Sequence, residues 1–142
     1  MRAWYLVALF AVACSGDDTD EDSCAPDDAD GIVGVDITVA LTVDDTVFAP
    51  AIVKTQNSSV VTLTLTNQGT RPHGFAIDCL ETPNSRGCPA RSCFPAEATV
   101  PAIAPGASVT VKFTSPAVEG IYTYRSTADG DAALGTGQFI LQ

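Results

Sequence analysis

Within the stretch VVTLTLTN, Val60–Asn67, aliphatic and threonine side chains alternate without a break from Val61 to Thr66. Side chains of an extended chain point to opposite faces in turn, so Val61, Leu63 and Leu65 share one face and Thr62, Thr64 and Thr66 the other. A helix would scatter both sets around its circumference; a half-buried strand separates them. The same period of two places Val35, Ile37, Val39 and Leu41 opposite Asp36, Thr38, Ala40 and Thr42. It recurs at His73, Phe75 and Ile77, at Val109, Val111 and Phe113, and in residues 121–126 and 138–141. Asp44-Asp45 and the Asn57-Ser58-Ser59 triplet mark turns, and Pro50 is confined to an edge or a bend because it cannot donate to a ladder. No stretch longer than a few residues keeps a helical period. Seven or eight short strands on this pattern predict an all-β, two-sheet Greek-key sandwich.

The sandwich begins only after about residue 31. Arg2, the apolar run WYLVALFAVA at 4–13 and the small residues before Cys14 have the layout of an export signal, and the run is shorter than the roughly 20 residues that span a bilayer. Residues 1–13 are therefore expected to be a signal peptide. The sequence AVAC resembles a bacterial lipobox, which makes Cys14 the expected lipidation site; an ordinary signal with cleavage elsewhere is the other reading. Ser15 after that cysteine resembles the outer-membrane sorting signal, placing the protein on the periplasmic or surface side. Residues 14–31 hold eight of the chain's 17 carboxylates and no basic residue, too polar to offset the entropy of ordering, so they are expected to form a disordered tether. Residues 32–142 then form one domain, with nine acidic against six basic residues from position 31 onward. Without a basic stripe to neutralise phosphates, a nucleic-acid partner is excluded; the expected contacts are the membrane, through the lipid, and an envelope protein.

Four further cysteines, Cys24, Cys79, Cys88 and Cys93, form an even set in an exported chain and predict two disulfides, with three connectivities open. The C-x8-C-x4-C spacing lacks a zinc knuckle, and the absence of CxxC argues against thiol oxidoreductase chemistry. Residues 78–105, rich in Cys and Pro, read as a mostly irregular insertion with a short helical turn near residues 95–98.

Three segments in order resemble the cupredoxin family: FAPAIVKTQNSSVVTLTLTNQGTRPHGFAI, PAIAPGASVTVKFTSPAVEGIYTY and the closing GQFIL. The resemblance covers residues 35–142. It implies a copper site at one end of the sandwich, built from two His, one Cys and an axial Met, a soft, nearly trigonal set suited to electron transfer. His73 matches the first His of that pattern. The Cys position falls on Ser126, the second His on Asp129, and the Met position on Leu134 or, counted from Gly137, on Gly135. The chain has one His, and its one Met is Met1, so it cannot assemble the type 1 set by itself. The resemblance also suggests the pairing Cys24 with Cys79 and Cys88 with Cys93.

The vacated positions leave three possibilities. Ser126 and His73 satisfy each other's hydrogen bonds in a site without a cofactor; His73 with Asp129 or Asp131 holds copper in an altered site; or Ser, His and Asp make a hydrolytic centre. No nucleophile-elbow sequence surrounds Ser126 and no oxyanion hole is evident, so a non-enzyme is expected. Tyr122 and Tyr124 read as core aromatics and Arg125 as a surface cation.

Overall fold

The computed structural model describes residues 34–83 and 89–142. The expected signal peptide 1–13, the lipidation site Cys14, the tether 14–31, and Cys24 and Cys88 lie outside the described residues. Within them are eleven strands: β1 (Asp36–Val43), β2 (Phe48–Ala49), β3 (Ile52–Thr55), β4 (Val60–Asn67), β5 (His73–Ile77), β6 (Leu80–Pro83), β7 (Pro89–Ser92), β8 (Val100–Ile103), β9 (Ser108–Thr114), β10 (Gly120–Arg125) and β11 (Gly137–Leu141). One sheet runs in the order β2-β1-β4-β9 and the other β3-β11-β10-β5-β8. The all-β sandwich of the sequence reading is present, with mixed parallel and antiparallel pairing.

The alternation explains the layering. β1 and β4 pair in parallel from Asp36 opposite Val60 to Val43 opposite Asn67, which turns Val39, Leu41, Val43, Val61, Leu63 and Leu65 to the core. The threonines face out, where Thr64 and Thr110, and Thr66 and Ser108, join across β4 and β9 at 2.8 Å. Pro50 stands at a bend, where the chain leaves β2 in one sheet and enters β3 in the other.

Aromatic side chains fill the space between the sheets in two groups. Phe48, Phe75 and Tyr124 meet near the start of β5, with centroids 5.3 to 6.2 Å apart. Phe94 meets Phe113, Tyr122 and Phe139 at 5.8, 5.1 and 5.2 Å. Edge-on contacts of this kind add to the area that aromatics bury. Tyr122 and Tyr124 are fully buried core residues, as expected. The ring of Tyr124 lies flat against Gly137, its partner in the β10–β11 ladder; a Cβ at Gly137 would stand 2.0 Å from the ring, so only glycine fits.

The described part of the Cys/Pro-rich insertion holds more regular structure than its composition suggests. β6 and β7 form an antiparallel hairpin in which Leu80 faces Ser92, so the residues just outside, Cys79 and Cys93, are brought together and bonded, with Cα atoms 4.3 Å apart. This overturns the pairing of Cys24 with Cys79 and Cys88 with Cys93. Beyond the bond, Phe94 plugs the core, the expected helical turn is a 3-10 turn at Ala96–Ala98, and β8 joins β5. The facing prolines Pro83 and Pro89 disguise the hairpin, while a cross-link at its base and the burial of Phe94 hold it.

Candidate functional site

His73 opens β5 and is fully buried at one end of the sandwich. Its parity with buried Phe75 turns it inward, as the alternation predicts. Three connections converge on it. The β1–β2 turn brings Asp45, whose Oδ1 lies 2.9 Å from His73 Nε2. The β10–β11 connection brings Asp131, whose Oδ2 lies 2.7 Å from His73 Nδ1. The β4–β5 connection brings Arg71, whose guanidinium stands 3.8 Å from Asp45 Oδ1 and 3.8 Å from Asp131 Oδ1.

Each arm is fixed by local bonds. In the β1–β2 turn, Asp44 Oδ1 accepts from the backbone N–H of Thr46 and Val47 at 2.7 and 2.8 Å, a turn chemistry that short acidic side chains favour. Asp45 accepts from Thr70 through backbone N–H and hydroxyl, the latter at 2.6 Å. Buried Asn67 supports the connection that carries Thr70 and Arg71: its Nδ2 donates to the carbonyls of Arg71 and Ile103 at 2.7 and 2.9 Å, and its Oδ1 accepts from Gly69 N–H at 2.8 Å. A Cβ at Gly69 would stand 2.5 Å from Asp45 Oδ1 and 2.7 Å from His73 Nε2, so the chain passes over that hydrogen bond only because the residue is glycine. Backbone bonds from Asp131 N–H to Ala128 O and from Leu134 N–H to Asp131 O curl the β10–β11 connection, and Gly135 N–H reaches Thr46 O at 2.8 Å to tie it to the β1–β2 turn.

Ser126 completes the cluster without touching the imidazole through a hydrogen bond of its own. Its hydroxyl donates to Asp131 Oδ2 and accepts from Gly74 N–H at 3.1 Å and Ala128 N–H at 3.3 Å. Ser126 and His73 are thus joined through Asp131, where the sequence reading paired them directly. Asp129, two residues earlier, is exposed, because the curl of the loop turns Asp131 in and Asp129 out. Leu134 is buried in the apolar core. Arg125 is exposed and pairs with Asp78 at 2.9 Å. Asp45 and Arg71 were missed by the sequence reading; the Asp-Asp pair at 44–45 showed a turn, but nothing in its spacing pointed to His73.

The electrostatics agree with the geometry. Burial disfavours a charged His73, but hydrogen bonds and charge from Asp131 and Asp45 outweigh it and hold the imidazole pKa above its ordinary value. Burial also works against an ionised Asp131, yet the bonds from His73 and Ser126 and the charges of His73 and Arg71 hold its carboxyl below the usual range. Asp45 is held well below that range by Thr70 first and His73 second.

This donor set does not fit type 1 copper. Both nitrogens of the single imidazole already face carboxylates; a saturated hydroxyl stands in place of a thiolate, and an apolar Leu134 in place of a thioether. Cys79 and Cys93 are bonded to each other. Among the described residues, no three His, Cys, Asp or Glu side chains are arranged to hold a metal ion. Nor does the cluster resemble an activated nucleophile, since the hydroxyl of Ser126 is directed at a carboxylate and not at an imidazole base.

No protein-family model matches the chain, and no curated protein matches it in sequence. Solved structures do. Dithionite-reduced auracyanin from Roseiflexus castenholzii is 18% identical over 74% of this chain and 96% of its own, with a TM-score of 0.56. Auracyanin A, a blue copper protein from Chloroflexus aurantiacus, is 17% identical over 75% and 99%, also at 0.56. A copper nitrite reductase from Nitrosomonas europaea is 17% identical over 75% of this chain but 41% of its own, at 0.54. The fold is a cupredoxin-like sandwich. Within it, this chain lacks the type 1 ligand set.

Proposed function

We propose that this protein is a non-catalytic, cupredoxin-like lipoprotein that serves a binding or structural role in the cell envelope without a type 1 copper centre. One observation carries this reading: both ring nitrogens of His73 are engaged by Asp131 and Asp45, so the one imidazole available has no free lone pair to offer a metal. The saturated hydroxyl of Ser126 supports a non-catalytic role. The envelope location rests on the signal at 1–13, the lipobox cysteine Cys14 and the acidic tether at 14–31. On this reading the tether projects the domain from the outer membrane towards a protein partner.

The test is metal retention by the mature chain. After exposure to Cu(I) or Cu(II) and dialysis, wild type and His73→Ala should hold equally little copper. Stoichiometric copper that depends on His73 would contradict the proposal and favour a copper-binding or electron-transfer protein with an altered site. The location is tested separately: Cys14→Ala should abolish incorporation of labelled palmitate and release the protein from membranes, and unchanged labelling would contradict the anchor.

A further inference from the structure

We infer that His73 is a protonated cross-link between the β1–β2 turn and the β10–β11 connection, a latch that closes this end of the sandwich and opens when the proton leaves. The inference follows from counting donors. An ionised carboxylate only accepts hydrogen bonds, and a neutral imidazole has one N–H to give; an imidazolium has two. Carboxylate oxygens stand 2.7 Å from Nδ1 and 2.9 Å from Nε2, so a neutral ring would leave a lone pair facing one of them at hydrogen-bond distance. Both carboxylates are already supplied as anions: Asp45 takes the N–H and hydroxyl of Thr70, and Asp131 takes the hydroxyl of Ser126 and faces Arg71.

The groups around the ring define what the proton does. Asp45 faces it from the β1–β2 turn and Asp131 from the β10–β11 connection; Arg71 of the β4–β5 connection touches both carboxylates, and β8 lies beside it with apolar Ile103. With His73 protonated, two cations balance two anions inside one cluster. Without the proton, Arg71 alone stands against two carboxylates, one of them buried, and one of the two arms loses its donor. Among the described residues, the remaining direct hydrogen bond between those arms runs from Gly135 N–H to Thr46 O. The end of the sandwich is therefore held shut while His73 is protonated and both carboxylates are ionised, and loosened as rising pH removes the imidazole proton.

This inference rests on the copper-free reading, and one sample separates the two. The chain has a single histidine, so a histidine-labelled mature protein gives one set of imidazole nitrogen signals. Proton–nitrogen NMR after copper exposure and dialysis should show both ring nitrogens protonated at pH 7, with slowly exchanging N–H protons. Raising the pH should remove one proton and, over the same range, lower the protection of the Thr46, Val47 and Asp131 amides beyond the rise in exchange that hydroxide catalysis alone gives. Asp131→Asn should lower the midpoint of that titration, a change that packing alone would not cause. A bare ring nitrogen at pH 7 would overturn the latch even if no copper is retained. Unchanged protection of those amides through the titration would overturn it as well. Retained copper beside a doubly protonated ring would overturn the copper-free reading and leave the latch intact.

Discussion

Asn67 donates its side-chain amide to the carbonyl of Arg71, 2.7 Å away, and so holds the connection that presses Thr70 and Arg71 against Asp45. The same side chain binds Ile103 O and Gly69 N–H, giving three partners, the one at Ile103 buried, that Ala cannot replace. Leaving such groups unpaired costs on the order of 1–3 kcal/mol each before relaxation. Asn67→Ala should destabilise the fold by about 2–4 kcal/mol in urea unfolding. A loss within a few tenths would mean that the connection holds its shape without Asn67.

Gly69 tests the geometry above the cluster. In Gly69→Ala the new methyl would fall within 3 Å of both Asp45 Oδ1 and His73 Nε2, so the carboxylate or the ring must move. The variant should lose about 1–3 kcal/mol of stability, in the range of steric strain at a packed site, and lower the His73 titration midpoint. An unchanged midpoint would mean that the Asp45 contact contributes little to the proton's affinity.

The pH dependence of stability follows from the directions of the shifts. Asp45 and Asp131 are lowered from 3.8, so their contribution is present above that value and lost as pH falls through their folded pKa values. His73 is raised from 6.5, so its contribution is full below 6.5 and lost as pH rises through its folded pKa. The urea midpoint should therefore be highest between about pH 4 and 6.5 and fall on the alkaline side, with the alkaline fall absent in His73→Gln. Stability that rises from pH 6 to pH 9 would contradict this assignment of charge.

The Cys79–Cys93 bond closes a sequence separation of 14 residues, for which chain entropy predicts about 3 kcal/mol of stabilisation. Replacing both cysteines with serine should cost about that much, and Phe94→Ala about 3–5 kcal/mol. Because Phe94 follows Cys93 directly, the two changes should combine to less than their sum. Peptide mapping without reduction should recover Cys79 linked to Cys93; a Cys88–Cys93 peptide would contradict the hairpin register.

The alternation in β1, β4 and β9 to β11 was legible because a period of two is local and the apolar face has one place to go. The inward position of His73 came from the same parity with Phe75. Of the partners of His73, Asp131 was named beside it only as an alternative to Asp129, and Asp45 was not legible: they are 58 and 28 residues away, and only the convergence of turns makes them neighbours. Counting by the spacing of the cupredoxin loop selected Asp129, while the backbone bonds around Ala128 and Leu134 turn Asp131 inward instead. The β6–β7 hairpin was hidden by Pro83 and Pro89, which face each other where β6 ends and β7 begins, and the cysteine pairing was hidden with it.

The central claim is that the imidazole of His73 is committed to two carboxylates and is not available to copper. Its most direct test is the copper content of mature wild-type protein beside His73→Ala after loading with Cu(I) or Cu(II) at pH 7 and dialysis. The account predicts no His73-dependent copper and no intense visible band of a copper thiolate. One equivalent of copper held by wild type and lost in His73→Ala would contradict it.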